Sequence, residues 1–314
     1  MAFSAQRALM GSGSGASKIG YWIAGDSLSF GGAVDGINFV SETLHTVATT
    51  TGAPNSVPAS MSSRIKGYLA GGFTPNFGNW SNEIQSWLFA TEVHAFLAAT
   101  LTIGRREAAG VMAVDEEKGY IAGGEGDFTG SYPALIEGFD FNTELHIVLS
   151  VNLPDAGRQI LGACSSTTHG YWAGGSLYPA TFTNRIDGIT FATEATINPG
   201  ATLATSRIAL TGWQSQLNGY WAGGFNGGNS NQIDGIRFST DSAINPAAAL
   251  SVARGRAGGL SSRSTGYAGG GSVTGVGQTV VDGMIFETET STNPSMTLSH
   301  VRTGSGNVQQ WPQN

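Results

Sequence analysis

The sequence predicts an all-β fold built from six repeated sheets, and three observations carry that prediction. Glycine fills 47 of the 314 positions, charged residues make up only 12% of the chain, and one short phrase returns six times along it. An ordinary soluble domain has about 7% glycine and about 25% charged residues. Each glycine inside a helix would cost about 0.5–1 kcal/mol relative to alanine, so this glycine content indicates turns and closely packed strands.

The repeated phrase consists of Gly-Tyr, a short apolar stretch and, in most copies, a glycine pair. Its six copies begin at Gly20, Gly67, Gly119, Gly170, Gly219 and Gly266, an interval of about 50 residues that is typical of repeated sheets. A second phrase, such as IDGIRF, follows each copy and closes on phenylalanine, at Phe39, Phe89, Phe141, Phe191, Phe238 and Phe286. Serine or threonine and then an acid come shortly afterwards, a pattern typical of a turn that leaves a strand.

Two further strands complete each repeat. A strand of small residues comes before the Gly-Tyr phrase and is opened by arginine, at Arg7, Arg105 or Arg106, Arg158, Arg207, Arg254 and Arg302, whereas the second repeat has none. A polar strand such as ATINPGATL ends the repeat. Alternating residues between turn signals indicate about four short strands in each unit. One such sheet cannot bury both faces, but six sheets packed radially can.

We therefore expect one domain over residues 1–314, with repeat units at 4–50, 51–102, 103–154, 155–203, 204–250 and 251–298. Residues 299–310 hold a surplus copy of the small-residue strand, which occurs seven times against six for every other element. The surplus copy could cap the ring, begin an incomplete seventh sheet, or pair with an exposed edge on another subunit. A ring of seven sheets, or one that does not close, is the alternative to six.

These phrases resemble the kelch repeat, which has a similar length, an apolar strand ending in Gly-Gly, an aromatic-closed third strand and an arginine near the innermost strand. The resemblance covers residues 4–310 and extends to kelch-like proteins of tailed, especially marine, bacteriophages, whose phrases are similar to GYWAGG, IDGIRFSTD and LSVAR at residues 219–254. It implies a single kelch-type β-propeller of six blades. The chain departs from the family because the usual tryptophan of the fourth strand is absent, Asp26 replaces a glycine and Gln85 replaces an acid.

The charge balance and the cysteine content narrow the functional classes. With 15 basic and 22 acidic residues the net charge is -7, so we expect no binding to nucleic acid or to an anionic membrane surface. No apolar run is long enough to insert into a membrane, and the first residues do not follow the pattern of a signal peptide. Cys164 is the single cysteine, which excludes an intramolecular disulfide framework. We expect synthesis in the host cytoplasm.

The sequence predicts a protein that is not an enzyme, with no catalytic residue, metal site or cofactor. His45, His94 and His146 occupy similar places in the outer strands of three units, which should lie too far apart to share an ion. No nucleophile elbow, phosphate-binding loop or zinc-protease motif occurs. The repeated acids share one repeat position, whereas a catalytic pair should break the repeat.

The repeated arginine and the repeated acid vary together. The second unit lacks both, since Gln85 stands at the acid position. A guanidinium group could pass over the glycine pair and reach a carboxylate two strands away. We interpret these residues as structural pairs within repeats: Arg7 with Asp35, Arg158 with Asp187, Arg207 with Asp234, and Arg254 with Asp282. The alternative is that the arginines line a ligand face, which the resemblance to peptide-binding kelch domains implies.

The loops between the glycine pair and the third strand vary most, at 73–82, 125–135, 176–184 and 225–231, and are called the variable loops below. Aromatic residues among glycine, asparagine and serine suit stacking on a sugar or docking on a protein. The predicted binding residues are Phe77, Trp80, Phe128, Tyr132, Tyr178 and Phe182. The alternative is that these rings fold back over the sheets.

The resemblance to phage proteins implies a function. We expect a virion structural protein, as a tail fibre, tail tip or adhesion subunit that takes part in recognising a host-surface glycan or protein. Its partners would be other virion proteins and that receptor, with no nucleic acid and no membrane insertion. A capsid decoration protein is the first alternative, and a cellular kelch scaffold that binds peptide partners is the second.

Overall fold

The computed structural model describes residues 19–23, 25, 32–48, 50, 56–74, 79–126, 132–154 and 157–310. Within these ranges every regular element is a strand, all named strand pairings are antiparallel, and no helix occurs. The prediction of an all-β fold is confirmed.

The strands are short, and in chain order they are numbered as follows. They are β1 (Ile19–Ile23), β2 (Val34–Asn38), β3 (Thr43–Thr46), β4 (Ala59–Ser62), β5 (Lys66–Ala70), β6 (Phe73–Thr74), β7 (Asn79–Trp80), β8 (Glu83–Leu88), β9 (Val93–Thr100), β10 (Arg105–Arg106), β11 (Ala109–Ala113), β12 (Lys118–Ala122), β13 (Glu125–Gly126), β14 (Leu135–Asp140), β15 (Leu145–Asn152), β16 (Arg158–Gln159), β17 (Gly162–Ser165), β18 (His169–Ala173), β19 (Ser176–Leu177), β20 (Thr181–Phe182), β21 (Ile186–Thr190), β22 (Ala195–Ile197), β23 (Thr211–Gln214), β24 (Asn218–Ala222), β25 (Ile233–Arg237), β26 (Ser242–Ile244), β27 (Gly258–Ser261), β28 (Thr265–Gly269), β29 (Ser272–Val273), β30 (Val276–Ile285), β31 (Thr290–Thr292), β32 (Thr297–Arg302) and β33 (Gly306–Gln309).

Six larger sheets account for most of these strands. Sheet 1 has the order β3-β2-β1-β33, sheet 2 the order β4-β5-β8-β9, and sheet 3 the order β11-β12-β14-β15. Sheet 4 runs β17-β18-β21-β22 and sheet 5 runs β23-β24-β25-β26. Sheet 6 begins β27-β28-β30, and β29, β31 and β32 also pair with β30. The Gly-Tyr phrase forms the second strand of every sheet, and the second phrase forms the third.

The first strands of the six sheets contact one another in a cycle. β33 lies against β4, β4 against β11, β11 against β17, β17 against β23, β23 against β27, and β27 against β33. The surplus strand copy near the carboxyl terminus therefore supplies the first strand of sheet 1, where Val308 pairs with Tyr21. The matching copy at the amino terminus lies outside the described residues.

The hydrophobic core lies between neighbouring sheets as six clusters. Because successive side chains of a strand point to opposite faces, one strand contributes to two clusters. In β1, Tyr21 packs toward Trp87 of sheet 2, whereas Trp22 packs with Leu260 of sheet 6. The remaining clusters join sheets 2 and 3, 3 and 4, 4 and 5, and 5 and 6.

The glycine pairs end the second strands, where they meet the next repeat. In Gly223-Gly224 the first residue has a φ of +66°, and a Cβ there would lie 2.4 Å from the carbonyl oxygen of Arg254. The amide of Gly224 donates to that same oxygen at 2.9 Å. Equivalent bonds join Gly72 to Arg105, Gly124 to Arg158, Gly175 to Arg207 and Gly271 to Arg302. Glycine is needed here because a left-handed backbone and a close contact coincide.

Candidate functional site

Buried arginine–acid pairs occur in five of the six sheets. The structure places Arg158 against Asp187 at 2.5 Å, Arg254 against Asp282 at 2.5 Å, and Arg207 against Asp234. Arg105, not Arg106, pairs with Glu137. Asp35, which the repeat groups with Arg7, is bound by Arg302 at 2.8 Å, because β33 completes sheet 1. Arg7 lies outside the described residues.

The guanidinium groups also bind backbone oxygens of the glycine pairs. Arg207 donates to the carbonyl of Gly223 at 2.7 Å, and Arg158 donates to Gly174 at 3.0 Å. Burial lowers the pKa of Arg207 and raises the pKa of Asp234, because low-dielectric surroundings disfavour charge. The side chains of Arg207 and Asp234 are 1% and 3% exposed, so neither presents its charge to a ligand.

The tyrosine of each Gly-Tyr phrase binds the acid that follows the next sheet's phenylalanine. Each phenol hydroxyl donates a hydrogen bond to a carboxylate: Tyr21 to Glu92, Tyr68 to Glu144, Tyr120 to Glu194, Tyr171 to Asp241, Tyr220 to Glu289 and Tyr267 to Glu42. Each tyrosine ring also stacks on that next phenylalanine, at centroid distances from 5.1 to 6.0 Å. The last of these contacts joins sheet 6 to sheet 1.

These acids occupy a strained backbone position in the turn. Glu92, Glu144 and Glu289 have φ values of 55°, 56° and 51°, a region that ordinary residues enter rarely. The hydrogen bond from tyrosine therefore stabilises the conformation of this turn and also links two neighbouring sheets. Burial, together with the facing acid, raises the pKa of these tyrosines, and the pKa of Tyr220 rises to about 12.

The three histidines of the outer strands do not share a site. His45 contacts Glu92 at 2.5 Å, His94 contacts Gln85 at 2.9 Å, and His146 contacts Glu137 at 2.9 Å. Among the described residues, no group of three histidine, cysteine, aspartate or glutamate side chains could hold a metal ion. Cys164 is buried, and burial raises the pKa of its thiol well above the usual value.

The described residues of the variable loops, at 73–74, 79–82, 125–126, 132–135, 176–184 and 225–231, lie at the same end of the sheets as the arginine segments. A second strand ends, and its antiparallel first strand begins, at one edge of the sheet. Small ladders link the two regions, since β10 pairs with β13 and β16 pairs with β19. This end of the molecule, formed by those described loop residues and by residues 105–107, 158–160 and 207–209, is called the loop face.

One part of the loop face is a cluster of an arginine with two aromatic rings. The guanidinium carbon of Arg106 lies 5.8 Å from the ring centre of Phe73 and 5.6 Å from that of Trp80. Phe73 and Trp80 are cross-strand partners in the β6–β7 hairpin. Glu125 holds Arg106 at 2.8 Å, while about a third of the arginine side chain (34%) stays exposed. The result is a preformed surface that is both aromatic and cationic.

Two aromatic pairs form the neighbouring parts of the loop face. Tyr132 meets Tyr178 edge to face at 5.6 Å, and its hydroxyl accepts a 2.6 Å bond from Gln159. Tyr178 is 66% exposed. Phe182 packs against Phe225 at 6.2 Å. The predicted binding residues Phe77 and Phe128 lie outside the described residues.

The centre of the loop face is closed by a ring of six backbone hydrogen bonds. In each bond a backbone amide donates to a backbone carbonyl: Val57 to Gly304, Glu107 to Val57, Ile160 to Glu107, Ala209 to Ile160, Arg256 to Ala209, and Gly304 to Arg256. All six residues have φ between 49° and 63°. Beneath them lies a cavity of about 130 Å³ lined by the first-strand segments of all six sheets.

An ion pair crosses the mouth of this cavity. Arg256 binds Glu107 at 2.6 Å, from the sixth sheet's first-strand segment to that of the third, on opposite sides of the ring. Glu107 is almost buried, with 5% of its side chain exposed, whereas Arg256 is 37% exposed. The pair narrows access to the cavity from the loop face.

Sequence reasoning missed several residues of the loop face. Arg106 was not separated from Arg105, although only one of two adjacent arginines can occupy the buried repeat position. Phe225 directly follows a glycine pair, as Phe73 does, and that shared position could have identified both. The pair of Glu107 with Arg256 carries no sequence signal, because 149 residues separate the two.

None of the described residues forms a helix that could cross a membrane. No protein-family model matches the chain, and no curated protein matches it. Among solved structures, the structure of YjhT is similar, with a TM-score of 0.72 over 88% of this chain and 95% of that one. The two sequences are 15% identical, so the similarity concerns the fold alone.

Proposed function

We propose that the chain is a closed, six-bladed kelch-type β-propeller. Four separate sets of contacts support closure: first-strand packing, the tyrosine–acid bonds, the tyrosine–phenylalanine stacks and the backbone ring all return from sheet 6 to sheet 1. A closed ring leaves no sheet face uncovered, which explains why six sheets suffice.

We further propose that it is a non-enzymatic structural protein of a tailed-phage particle, a tail fibre, tail tip or adhesion subunit. The resemblance of its repeats to phage kelch-like proteins supports the particle. Its composition is compatible with a protein that must persist outside a cell, since only three of its 15 basic residues are lysines and its single cysteine leaves no intramolecular disulfide to be reduced. Synthesis would take place in the host cytoplasm before assembly.

The observation that carries a binding role is that the repeat's arginines are buried against their own acids, whereas Arg106 and aromatic rings such as Tyr178 stay exposed on the loop face. Arginines, tyrosines and acids of the repeat are bound to one another between or within sheets. The loop face instead presents Arg106 over Phe73 and Trp80, beside the Tyr132–Tyr178 pair. Aromatic faces stack on sugar rings and protein side chains, and a guanidinium group adds directed hydrogen bonds. This face would contact a host-surface glycan or protein.

Quantitative mass spectrometry of gradient-purified particles tests the placement. The expected result is that peptides of this chain co-sediment with tail proteins at a fixed copy number and remain with tails after tails are separated from heads. Recovery with heads would replace the tail by the capsid-decoration alternative. Absence from particles would contradict the virion role and favour a cellular scaffold.

A further inference from the structure

A smaller cavity lies next to the one beneath the backbone ring. It has a volume of about 40 Å³ and is lined by the first strands of all six sheets. Its lining shares Gly110, Gly212 and Asn307 with that of the larger cavity, so the two are consecutive parts of one central channel. The smaller cavity is called the inner cavity below.

The inner cavity is polar but carries no charge. Among the described residues, its lining contains no carboxylate, guanidinium or ammonium group. The thiol of Cys164 lies in the lining, and burial raises its pKa, so the thiol stays protonated. Five polar side chains of the lining are each between 1% and 8% exposed: Ser62, Ser165, Gln214, Ser261 and Gln309.

The oxygen atoms of four of these side chains already accept hydrogen bonds. In each bond the donor is a backbone amide of a neighbouring first strand, at a distance of 2.5–3.1 Å: Met112 to Ser165, Gln214 to Ser261, Ser261 to Gln309 and Gln309 to Ser62. These bonds fix the side chains between neighbouring strands and use oxygen lone pairs.

The hydrogen-bonding capacity that these side chains have left is mainly to donate. A serine hydroxyl that accepts one bond still has its proton to give, and a glutamine amide has two. In the part of the chain that the structure describes, the hydroxyl protons of Ser62, Ser165 and Ser261 have no acceptor, and the side-chain NH₂ group of Gln309 has none. The side-chain amide of Gln214 is buried in the same wall without a partner. Five donor groups therefore share one uncharged cavity, and buried donors need an acceptor.

We propose that the inner cavity binds one chloride ion. A spherical anion accepts hydrogen bonds from several directions at once, and bonds to a charged acceptor are about twice as strong as bonds between neutral groups. A hard cation instead requires carboxylate or carbonyl oxygens as ligands, whereas the serine oxygens here already accept from amides. The volume of about 40 Å³ exceeds the roughly 10–15 Å³ that one water needs, and it excludes a large anion.

The bound ion would link the first strands of five sheets, since the five donors come from sheets 1, 2, 4, 5 and 6. Sheet 3 contributes Met112 at the equivalent position, because Met112 and Gln214 each pair with the glycine of a Gly-Tyr phrase. The site lies inside the molecule, so it does not depend on the proposed receptor.

Crystals of the full chain grown in sodium bromide test the site directly, because bromide replaces chloride and gives an anomalous X-ray signal. An anomalous peak should lie in the inner cavity, within hydrogen-bonding distance of at least three of the five side chains. Water alone in the cavity, or peaks confined to the surface as an adventitious ion only, would overturn the proposal.

Thermal unfolding provides a second measurement, in about 300 mM sodium chloride and in sodium gluconate of equal ionic strength, whose anion is too large for the cavity. Chloride should raise the Tm of the wild type by about 2 °C or more, because a ligand that binds only the folded state stabilises it. Gln214→Met removes one donor by a side chain that sheet 3 already carries at this position, and it should lose at least half of the shift. Gln278→Met, outside the cavity, is the matched control and should keep the shift. An equal shift in Gln214→Met, or none in the wild type, would contradict chloride binding at this site.

Discussion

Each buried arginine of the repeat touches two sheets at once. Its carbonyl oxygen accepts the amide of the preceding sheet's glycine pair, and its guanidinium group binds the acid of its own sheet. The covariation of arginine and acid along the sequence predicted an acid partner for each arginine, but it grouped Asp35 with Arg7, whereas Arg302 binds Asp35. The bond through the arginine backbone was not predictable, because every residue has a carbonyl and only the fold decides where it points.

Replacing Arg207 by methionine should lower the free energy of unfolding by about 3–5 kcal/mol, because Asp234 would stay buried without its partner. Arg237→Met removes an exposed arginine and should change it by no more than about 0.5 kcal/mol. Urea denaturation of both variants measures the difference. Equal stability of the two variants would show that the buried pair contributes nothing.

Burial of the tyrosine hydroxyl groups, together with their bonds to acids, should make stability fall in alkaline solution. The pKa of Tyr220 is about 12 in the folded protein and about 10 in an unfolded chain. The stabilisation is therefore complete below pH 10 and is lost as the pH rises toward 12, since the unfolded state releases its proton first. Tyr220→Phe should be less stable at pH 8 but show a shallower decline from pH 10 to 12, measured by urea unfolding at each pH. An unchanged decline would contradict this role.

The strands of the repeat were predictable from periodicity, whereas their junctions were not. The Gly-Tyr and IDGIxF phrases form the second and third strands as expected. The acid after each phenylalanine was recognised as part of a turn, yet its partner lies in the preceding sheet, in another repeat. A repeat pattern indicates the strands of each unit but does not indicate which residues of different units contact each other. Those partners could be identified only from the structure.

Gly223→Ala should destabilise the junction of sheets 5 and 6. A residue with a Cβ loses about 1–2 kcal/mol of stability in the left-handed backbone conformation. The Cβ at position 223 would also lie 2.4 Å from the Arg254 carbonyl oxygen, which adds to that loss. Gly228→Ala is the matched control, since its Cβ would meet nothing within 4 Å. Differential scanning calorimetry should show a lower Tm for the first variant alone. A Gly223→Ala protein as stable as Gly228→Ala would contradict the close contact.

A strand from the carboxyl-terminal part of the chain completes the first sheet. β33 pairs with β1 and contacts both β4 and β27, so it joins the two ends of the sequence. The sequence revealed a surplus strand copy but left three roles open, because the copies look alike and only the path of the chain assigns one to sheet 1. We therefore expect the stability of all six sheets to depend on residues 306–309.

In the proposed closed ring, a charge placed in β33 should destabilise all six sheets. Val308 is fully buried between sheets 1 and 2, so Val308→Asp should cost more than about 4 kcal/mol. Val301→Asp, at a position that is 44% exposed, is the control. Thermal unfolding followed by circular dichroism should show one transition in both proteins, at a much lower temperature for Val308→Asp. A separate early transition with most strands retained would contradict a closed, cooperative ring.

The most direct test of the central claim is a binding isotherm of the purified chain on envelopes of susceptible cells. Trp80→Ala and Tyr132→Ala should each weaken binding by about tenfold or more, equivalent to about 1.4 kcal/mol, with little change in Tm. Arg207→Met, measured well below its lowered Tm, should bind like wild type. The account would be contradicted if both loop variants bound as tightly as the wild type while folded Arg207→Met lost binding. Recognition would then belong to the repeated arginines and not to the loop face.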